Sequence, residues 1–483
     1  MLETIELILS ILYYLLLIFL IVIIILQVLY PEFAFRDFFG FKDDNHHKED
    51  AGGTNEHDDV KVDIDDSPES LESKHQMVEY TKYKQNFNIK EVDPTQVIKE
   101  DQMTYKDFIK LIADKSFLED YLDSVQTIIE VKIKIYSKWR TRVQNDLRSY
   151  KSKSNTPGTH DSNVDLLNHT ERELTEILDI AHDTLKKLTV LELKKNFKQM
   201  IYNKKYGFVS IIGRDDVKDF LIRKIYAFSR NPNVFLYNFQ NMRFYGIPGI
   251  GKSKLAECVG YIYSKSYILI RCKYREYTAK DFTSQYVKES PRLTYKLLLS
   301  ALEGLAFVDE APGLKVKKLS IGSDPNDEVL TEYVKFLEKP EERCMVVILA
   351  GYEDEMNELM QSNEGLIGRF PYCFTLSNYN SQQLTDILIK FMNVSDPTLE
   401  LDIRDTNCLY TYIDYLNENT PKVFEQQARS MKNLSGNILE VILNSRSYDF
   451  TPGDSKDAIK QRIYLIHHGF NSYLAPFGIS IKT

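Results

Sequence analysis

Residues 243–257 read RFYGIPGIGKSKLAE, an apolar run that ends in glycines, a lysine and a serine. Gly246, four further residues, then Gly251, Lys252 and Ser253 reproduce G-x-x-x-x-G-K-[ST]. In that pattern, positions without side chains let backbone N–H groups curl around phosphates. Lys252 would reach the β- and γ-phosphates of a nucleotide, and Ser253 would place its hydroxyl on Mg²⁺. The periodic KSKLAECVGYIY that follows reads as a helix whose positive N-terminus faces the anion. Gly246, Ile247, Pro248, Gly249, Ile250, Gly251, Lys252, Ser253 and Lys254 are therefore the candidate nucleotide-binding residues. An ordinary Gly-Pro turn before a helix needs neither the lysine nor the hydroxyl at these two positions.

A phosphate loop alone binds; hydrolysis also needs a metal and an aligned water. The segment LAFVDE, residues 305–310, offers both at the C-terminal end of an apolar strand, where ligands of open α/β sheets bind. Asp309 is the candidate Mg²⁺ residue, and Glu310 the group that orients or deprotonates the attacking water. YILIRC (267–272) and MVVILAGY (345–352) read as further buried parallel strands separated by helix-length segments. The expected fold from about residue 205 is thus α/β, a parallel sheet with helices on both faces. After about residue 378 strand patterns cease and a small all-helical region is expected.

The rest of the chain is organised differently. Its 483 residues exceed one compact unit. Residues 7–30, LILSILYYLLLIFLIVIIILQVLY, are interrupted only by Ser10 and Gln27. About 20 such residues cross a ~30 Å hydrocarbon core, so a single transmembrane helix is expected. The stretch lacks a basic leader and a small-x-small cleavage site, which argues for a retained anchor over a signal peptide. Glu3 and Glu6 precede the span while Arg36 and Lys42 follow it, which puts the C-terminal bulk in the cytosol. Residues 42–76 are acidic and nearly free of large apolar side chains, so they read as a flexible tether. His46, His47 and His57 lie in it without a fixed ligand spacing. The five cysteines form no C-x-x-C pair and read as buried free thiols.

Between tether and sheet, residues 77–204 read as a helical hairpin or small bundle. Ile135, Trp139, Val143 and Leu147 make one apolar stripe, with Lys132, Lys134, Lys138, Arg140, Arg142 and Arg148 spread over the remaining faces. Those faces are expected to be solvated, the alternatives being contact with anionic lipid near the anchor or with an acidic partner. Leu174, Leu178, Ala181, Leu185 and Leu188 make a second stripe after the break at SKSNTPGTHDSN. The formal charge of −9 argues against a nucleic-acid partner.

GIPGIGKS, SQYVKESPRLTYKLLLSALEGLAFVDEAPGL, VVILAGYEDEMNELMQSNEGLIGRFP and ARSMKNLSGNILEVIL resemble successive blocks of the AAA+ ATPases of the CbbX (CfxQ) and SpoVK-like clade. The resemblance covers about half the chain, residues 209–444. It implies a five-stranded parallel ATPase core (205–378), a C-terminal helical lid (379–483), ATP and Mg²⁺ as cofactors, and a homo-oligomeric ring of six subunits. It also implies that Arg369 is the finger offered to a neighbour's nucleotide, that Arg429 is the lid arginine at the phosphates, and that Tyr286 is the pore-loop aromatic that grips a polypeptide client. Where relatives carry a second arginine, Ile367 and Gly368 stand here, and no asparagine occupies the position near Gly351 and Tyr352. The Lys-, Asn-, Ile- and Tyr-rich composition suggests an AT-rich genome, such as that of a large DNA virus or a protist. The leading expectation is a membrane-anchored ATPase that remodels or translocates a protein. The alternatives are a nucleic-acid motor or loader, and a nucleotide-gated scaffold with little turnover.

Overall fold

A computed structural model describes residues 103–153, 162–238, 240–284, 289–316, 325–397, 399, 401–445 and 456–481. The expected membrane span at 7–30, the acidic tether with its three histidines, and Tyr286 lie outside the described residues. Among the described residues no helix is long and apolar enough to cross a membrane.

VVILAG, the apolar run of strand β4 (Val346–Gly351), is buried at every position because the strand is central in a five-stranded sheet. The order is β2 (Tyr274–Thr278), β3 (Leu305–Asp309), β4, β1 (Met242–Tyr245), β5 (Tyr372–Thr375), and every pairing is parallel. β2 and β5 are the edges, and accordingly both mix exposed with covered positions. Met242 pairs with Ile348 on one side and Tyr372 on the other. The chain therefore leaves β1 beside β4, at the point where successive connections turn to opposite edges, and that is where an open parallel sheet has its crevice.

One expected strand is displaced. YILIRC at 267–272 is a largely buried connection that ends on the exposed Cys272, and β2 begins at Tyr274. Tyr267 has a positive φ of 59°. The N–H groups beyond it are satisfied away from the ladder: Leu269 donates to the Tyr263 carbonyl, Ile270 to the Glu303 carboxylate and Arg271 to the Glu303 carbonyl. Ile268 and Leu269 are buried, so the apolar pattern reported burial correctly but not strand pairing.

Ahead of the sheet, α1 (Tyr105–Leu111) starts on a Thr104/Asp107 capping box. The 39-residue α2 (Lys115–Lys153) and α3 (Ser162–Lys187) form a hairpin, followed by α4 (Val190–Tyr202) and α5 (Asp215–Arg230). Tyr136, Val143 and Leu147 of α2 and Leu174, Ile177 and Leu178 of α3 share one buried cluster with Leu298, Val308, Val347 and Leu349. The hairpin thus packs into the sheet's own core. Lys132, expected on a solvated face, is 2% exposed. On the opposite side Phe220 of α5 packs on Phe374 of β5 at 5.1 Å between ring centroids.

Within the sheet region α6 (Lys252–Lys265) follows β1, α7 (Ser290–Ser300) precedes β3, α8 (Pro325–Phe336) precedes β4, and α9 (Glu353–Ser362) and α10 (Glu364–Arg369) lead to β5. Beyond β5 come α11 (Ser381–Ser395), α12 (Ile403–Asn419), α13 (Ala428–Asn444) and α14 (Lys456–Leu474). α13 and α14 meet closely at Gly469, where a Cβ would stand 2.6 Å from the Ile438 Cα. Of the cysteines, Cys258 and Cys408 are buried as expected, whereas Cys272 and Cys373 are exposed.

Candidate nucleotide site

β1 ends at Tyr245, and the chain turns through residues 246–251 straight into α6. The turn needs left-handed backbone at Gly249 (φ 78°) and Gly251 (φ 93°), which glycine adopts without Cβ strain. Gly246 prolongs the sheet by donating its N–H to the Gly351 carbonyl at 3.2 Å. The loop borders a cleft of about 1520 Å³ at the C-terminal ends of β1, β3 and β4. Pro248, Gly249, Gly251, Lys252, Ser253 and Lys254 line it directly, as do Asp309, Glu310 and Arg429. Gly246, Ile247 and Ile250 complete the loop behind that lining, with Ile250 fully buried.

Lys252 donates to the carbonyls of Gly246 (2.8 Å) and Ile247 (3.0 Å), so its ammonium sits inside the loop's own curve. Burial pushes the ammonium pKa down and the positive charge of Arg429 adds to that, while Asp309 opposes it. Burial disfavours the charged ammonium, and an opposite charge close by favours it. Asp309 ends β3, and Glu310 follows with φ 50°, its amide donating to the Asp309 carboxylate at 3.0 Å. That left-handed turn throws Glu310 into the open and leaves Asp309 half-buried below it. Lys254 is partly engaged elsewhere, with Glu257 at 2.7 Å and the Tyr206 ring at 4.3 Å.

The donor chemistry fits Mg²⁺. Ser253 and Asp309 offer one hydroxyl and one carboxylate to the cleft. Among the described residues no three carboxylates, histidines or cysteines gather into an all-protein metal cage. Mg²⁺ suits such a sparse oxygen set because it retains water and takes phosphate oxygens as ligands.

Arg429 stands near the start of α13, exposed on the cleft wall and close enough to bear on Lys252. Arg369 does not line the cleft. At the end of α10 it turns onto its own chain, Nε donating to the Val334 carbonyl at 2.8 Å and an Nη to the Gly365 carbonyl at 3.0 Å. The position of Tyr286 is not among those described.

Several contributors escaped the sequence reading. Arg214, Tyr379, Asn326 and Lys390 all line the cleft, and Glu276 of β2 stands beside Ser253. Burial, with Asp309 and Glu257 close by, pushes the Glu276 carboxyl up against the opposing Ser253 side chain. Arg214 lies in IIGRDDVK, where a glycine and a charged pair announce only a helix start. Tyr379 and Lys390 reach the cleft from segments far away in sequence.

Residues 242–375, from the first residue of β1 to the last of β5, match the family model described as ATPase family associated with various cellular activities (AAA). The segment is an AAA-family ATPase domain. The ESX-1 secretion system protein EccA1 of Mycobacterium tuberculosis (strain CDC 1551 / Oshkosh) is 34% identical over 149 residues, 31% of this chain and 26% of that protein. The ESX-3 secretion system protein EccA3 of Mycolicibacterium smegmatis (strain ATCC 700084 / mc(2)155) is 26% identical over 322 residues, 65% of this chain and 47% of that protein. The ESX-3 protein EccA3 of Mycobacterium tuberculosis (strain CDC 1551 / Oshkosh) is 31% identical over 197 residues, 40% of this chain and 30% of its own length. The chain thus spans less than half the length of these relatives.

Proposed function

We propose that this chain binds and hydrolyses ATP and couples turnover, in a homo-oligomeric ring, to remodelling or translocating a protein client. The observation that carries the reading is one cleft at the strand ends lined together by Lys252, Ser253, Asp309, Glu310 and Arg429. The AAA-family match across the sheet supports it.

Each residue has a separate task. The loop amides and Lys252 hold the phosphates, and Arg429 adds positive charge from the other wall. Glu310, exposed beside the cleft, orients a water and accepts its proton. When bound, Mg²⁺ would be held by Ser253 and Asp309 and would neutralise charge on the phosphate oxygens. Arg369 stabilises charge at a neighbouring subunit's nucleotide once it leaves its own carbonyls. Tyr286 contacts the client.

The four motif blocks support placement beside the CbbX-type AAA+ ATPases and a six-membered ring. The relatives' names, which are those of secretion-system proteins, favour a protein client over nucleic acid, as does the charge of −9. The apolar run at 7–30 supports a single-pass membrane anchor with the ATPase facing the cytosol.

The test is ATP binding and phosphate release by the purified chain. Lys252→Ala should lose binding, while Glu310→Gln should keep it and stop turnover. Wild-type affinity in Lys252→Ala would sink the phosphate-loop assignment. A wild-type chain that binds ATP in a ring without turning it over would favour the scaffold reading.

A further inference from the structure

Three separate segments meet at Tyr379, in the connection between β5 and α11. Its hydroxyl donates to the Ile250 carbonyl of the phosphate loop at 3.0 Å. The Arg214 guanidinium lies 4.1 Å from its ring centroid. Arg214 also donates to the Ser377 carbonyl at 2.7 Å and to the Ile250 carbonyl at 3.4 Å. The Tyr379 amide donates to the side-chain oxygen of Gln427 at 2.9 Å. Gln427 is buried, holds φ 48° and ψ −116°, and donates from its amide nitrogen to the Phe424 carbonyl at 3.0 Å.

The two ends of this relay stand at functional positions. The Ile250 carbonyl and the Gly251 N–H belong to one planar trans peptide, in which C=O and N–H point in opposite directions. Holding the carbonyl on the Tyr379 side therefore turns the Gly251 N–H away from it, and Gly251 lines the cleft. At the other end Gln427 precedes Arg429 by two residues, in a backbone conformation that costs energy for a side chain to hold. The two ends also touch directly. A Cβ on Gly249 would stand 2.2 Å from the Gln426 carbonyl oxygen and 3.1 Å from the Arg429 Cβ.

We propose that Tyr379 is a positioning residue that links the phosphate loop to the Arg429 turn, so that anion binding at the Gly251 amide and placement of Arg429 are one coupled event. This rests on the nucleotide-binding reading above. Tyr379 acts through Ile250 on one side and Gln427 on the other.

The experiment is a double-mutant cycle in the full chain, reading the dissociation constant of the β,γ-imido analogue of ATP with Mg²⁺. Tyr379→Phe removes only the hydroxyl and keeps the ring under Arg214. It should weaken binding about three- to tenfold, the range of one neutral hydrogen bond. The discriminating result is coupling: Arg429→Ala should cost at least about threefold less affinity in the Tyr379→Phe background than in the wild type. Additive losses, within about twofold, would overturn the proposal, because a merely structural role of the hydroxyl has no reason to depend on Arg429. Gln427→Met, similar in size without the amide, provides the same cycle from the other end should Tyr379→Phe melt early. Failure of the wild type to bind the analogue, or binding that Lys252→Ala leaves intact, would instead strike the nucleotide site itself and this proposal with it.

Discussion

Lys132, in the middle of α2, donates to Glu303 at 2.8 Å, with the lysine side chain 2% and the glutamate 0% exposed. The pair joins the helical hairpin to the turn that enters β3. Tyr136, one helical turn further on, donates to the other Glu303 oxygen at 2.6 Å, and the Ile270 N–H also reaches the carboxylate at 3.1 Å. Lys132 spends a second donor on the Ile268 carbonyl at 2.9 Å. Sealed charges are tolerated only when paired and hydrogen-bonded in this way.

Lys132→Ala should therefore destabilise the chain by about 3–5 kcal/mol, because Glu303 is left charged and sealed without its partner. The double replacement Lys132→Met with Glu303→Gln should recover a good part of that loss. Urea unfolding followed by tryptophan emission reads both, since Trp139 lies two helical turns along α2 from Lys132. Equal losses in the single and double variants would show that packing at Lys132, and not the orphaned charge, carries the cost.

A second prediction concerns acid. Glu173 of α3 faces Arg271 at 2.6 Å and Lys273 at 2.9 Å. Burial works against the carboxylate charge, but the two cations outweigh it and hold the pKa below the usual carboxylate value. A carboxyl whose folded pKa is depressed contributes stability that is complete above its unfolded value and is lost as pH falls through the folded one. The wild type should consequently lose stability below about pH 4.3, the ordinary glutamate value. Glu173→Gln should be less stable near neutrality, and its stability should decline less steeply through that acid range. Parallel acid-unfolding curves would refute the assignment.

Gly249→Ala tests the closeness of the phosphate loop to the α13 turn. The new methyl must displace the Gln426 carbonyl from 2.2 Å, and the residue must hold a φ of 78° that alanine disfavours. Nucleotide affinity should fall at least about tenfold. The melting temperature without nucleotide should fall by several degrees, the effect of ~1–3 kcal/mol. Calorimetric titration and thermal melts read the two quantities separately, and an unchanged affinity would show that the loop has room to spare.

Arg369 yields a test of the ring. Its guanidinium is bound to the Val334 and Gly365 carbonyls of its own chain, and a role in a neighbour's site requires those bonds to be exchanged. Arg369→Ala should bind ATP nearly normally and hydrolyse it about 10³-fold more slowly or worse, the range of such fingers in phosphoryl transfer. Mixed with Lys252→Ala subunits, which keep the finger and lack the binding site, it should regain part of the rate. Mixed assemblies that form but stay inactive would confine Arg369 to bracing α8 and α10.

What the sequence determined by itself was local structure carried by neighbours in the chain. The turn at 246–253 between strand and helix, and the strand end at Asp309–Glu310, were legible because each is set by residue types at fixed short spacings. Val346–Gly351 was legible as a buried strand because a strand covered on both faces must be apolar throughout. The tertiary structure alone decided the relations between distant segments. YILIRC has the apolarity of a strand, yet the Glu303 carboxylate and carbonyl take N–H groups that a ladder would have needed. Lys132 reads as a solvated lysine until Glu303, 171 residues away, closes over it. Arg214, Tyr379 and Gln427 enter the site together for the same reason. A hydrogen bond across 48 or 129 residues leaves no periodicity in sequence, and only the packing of helices onto the strand ends brings its partners within 3 Å.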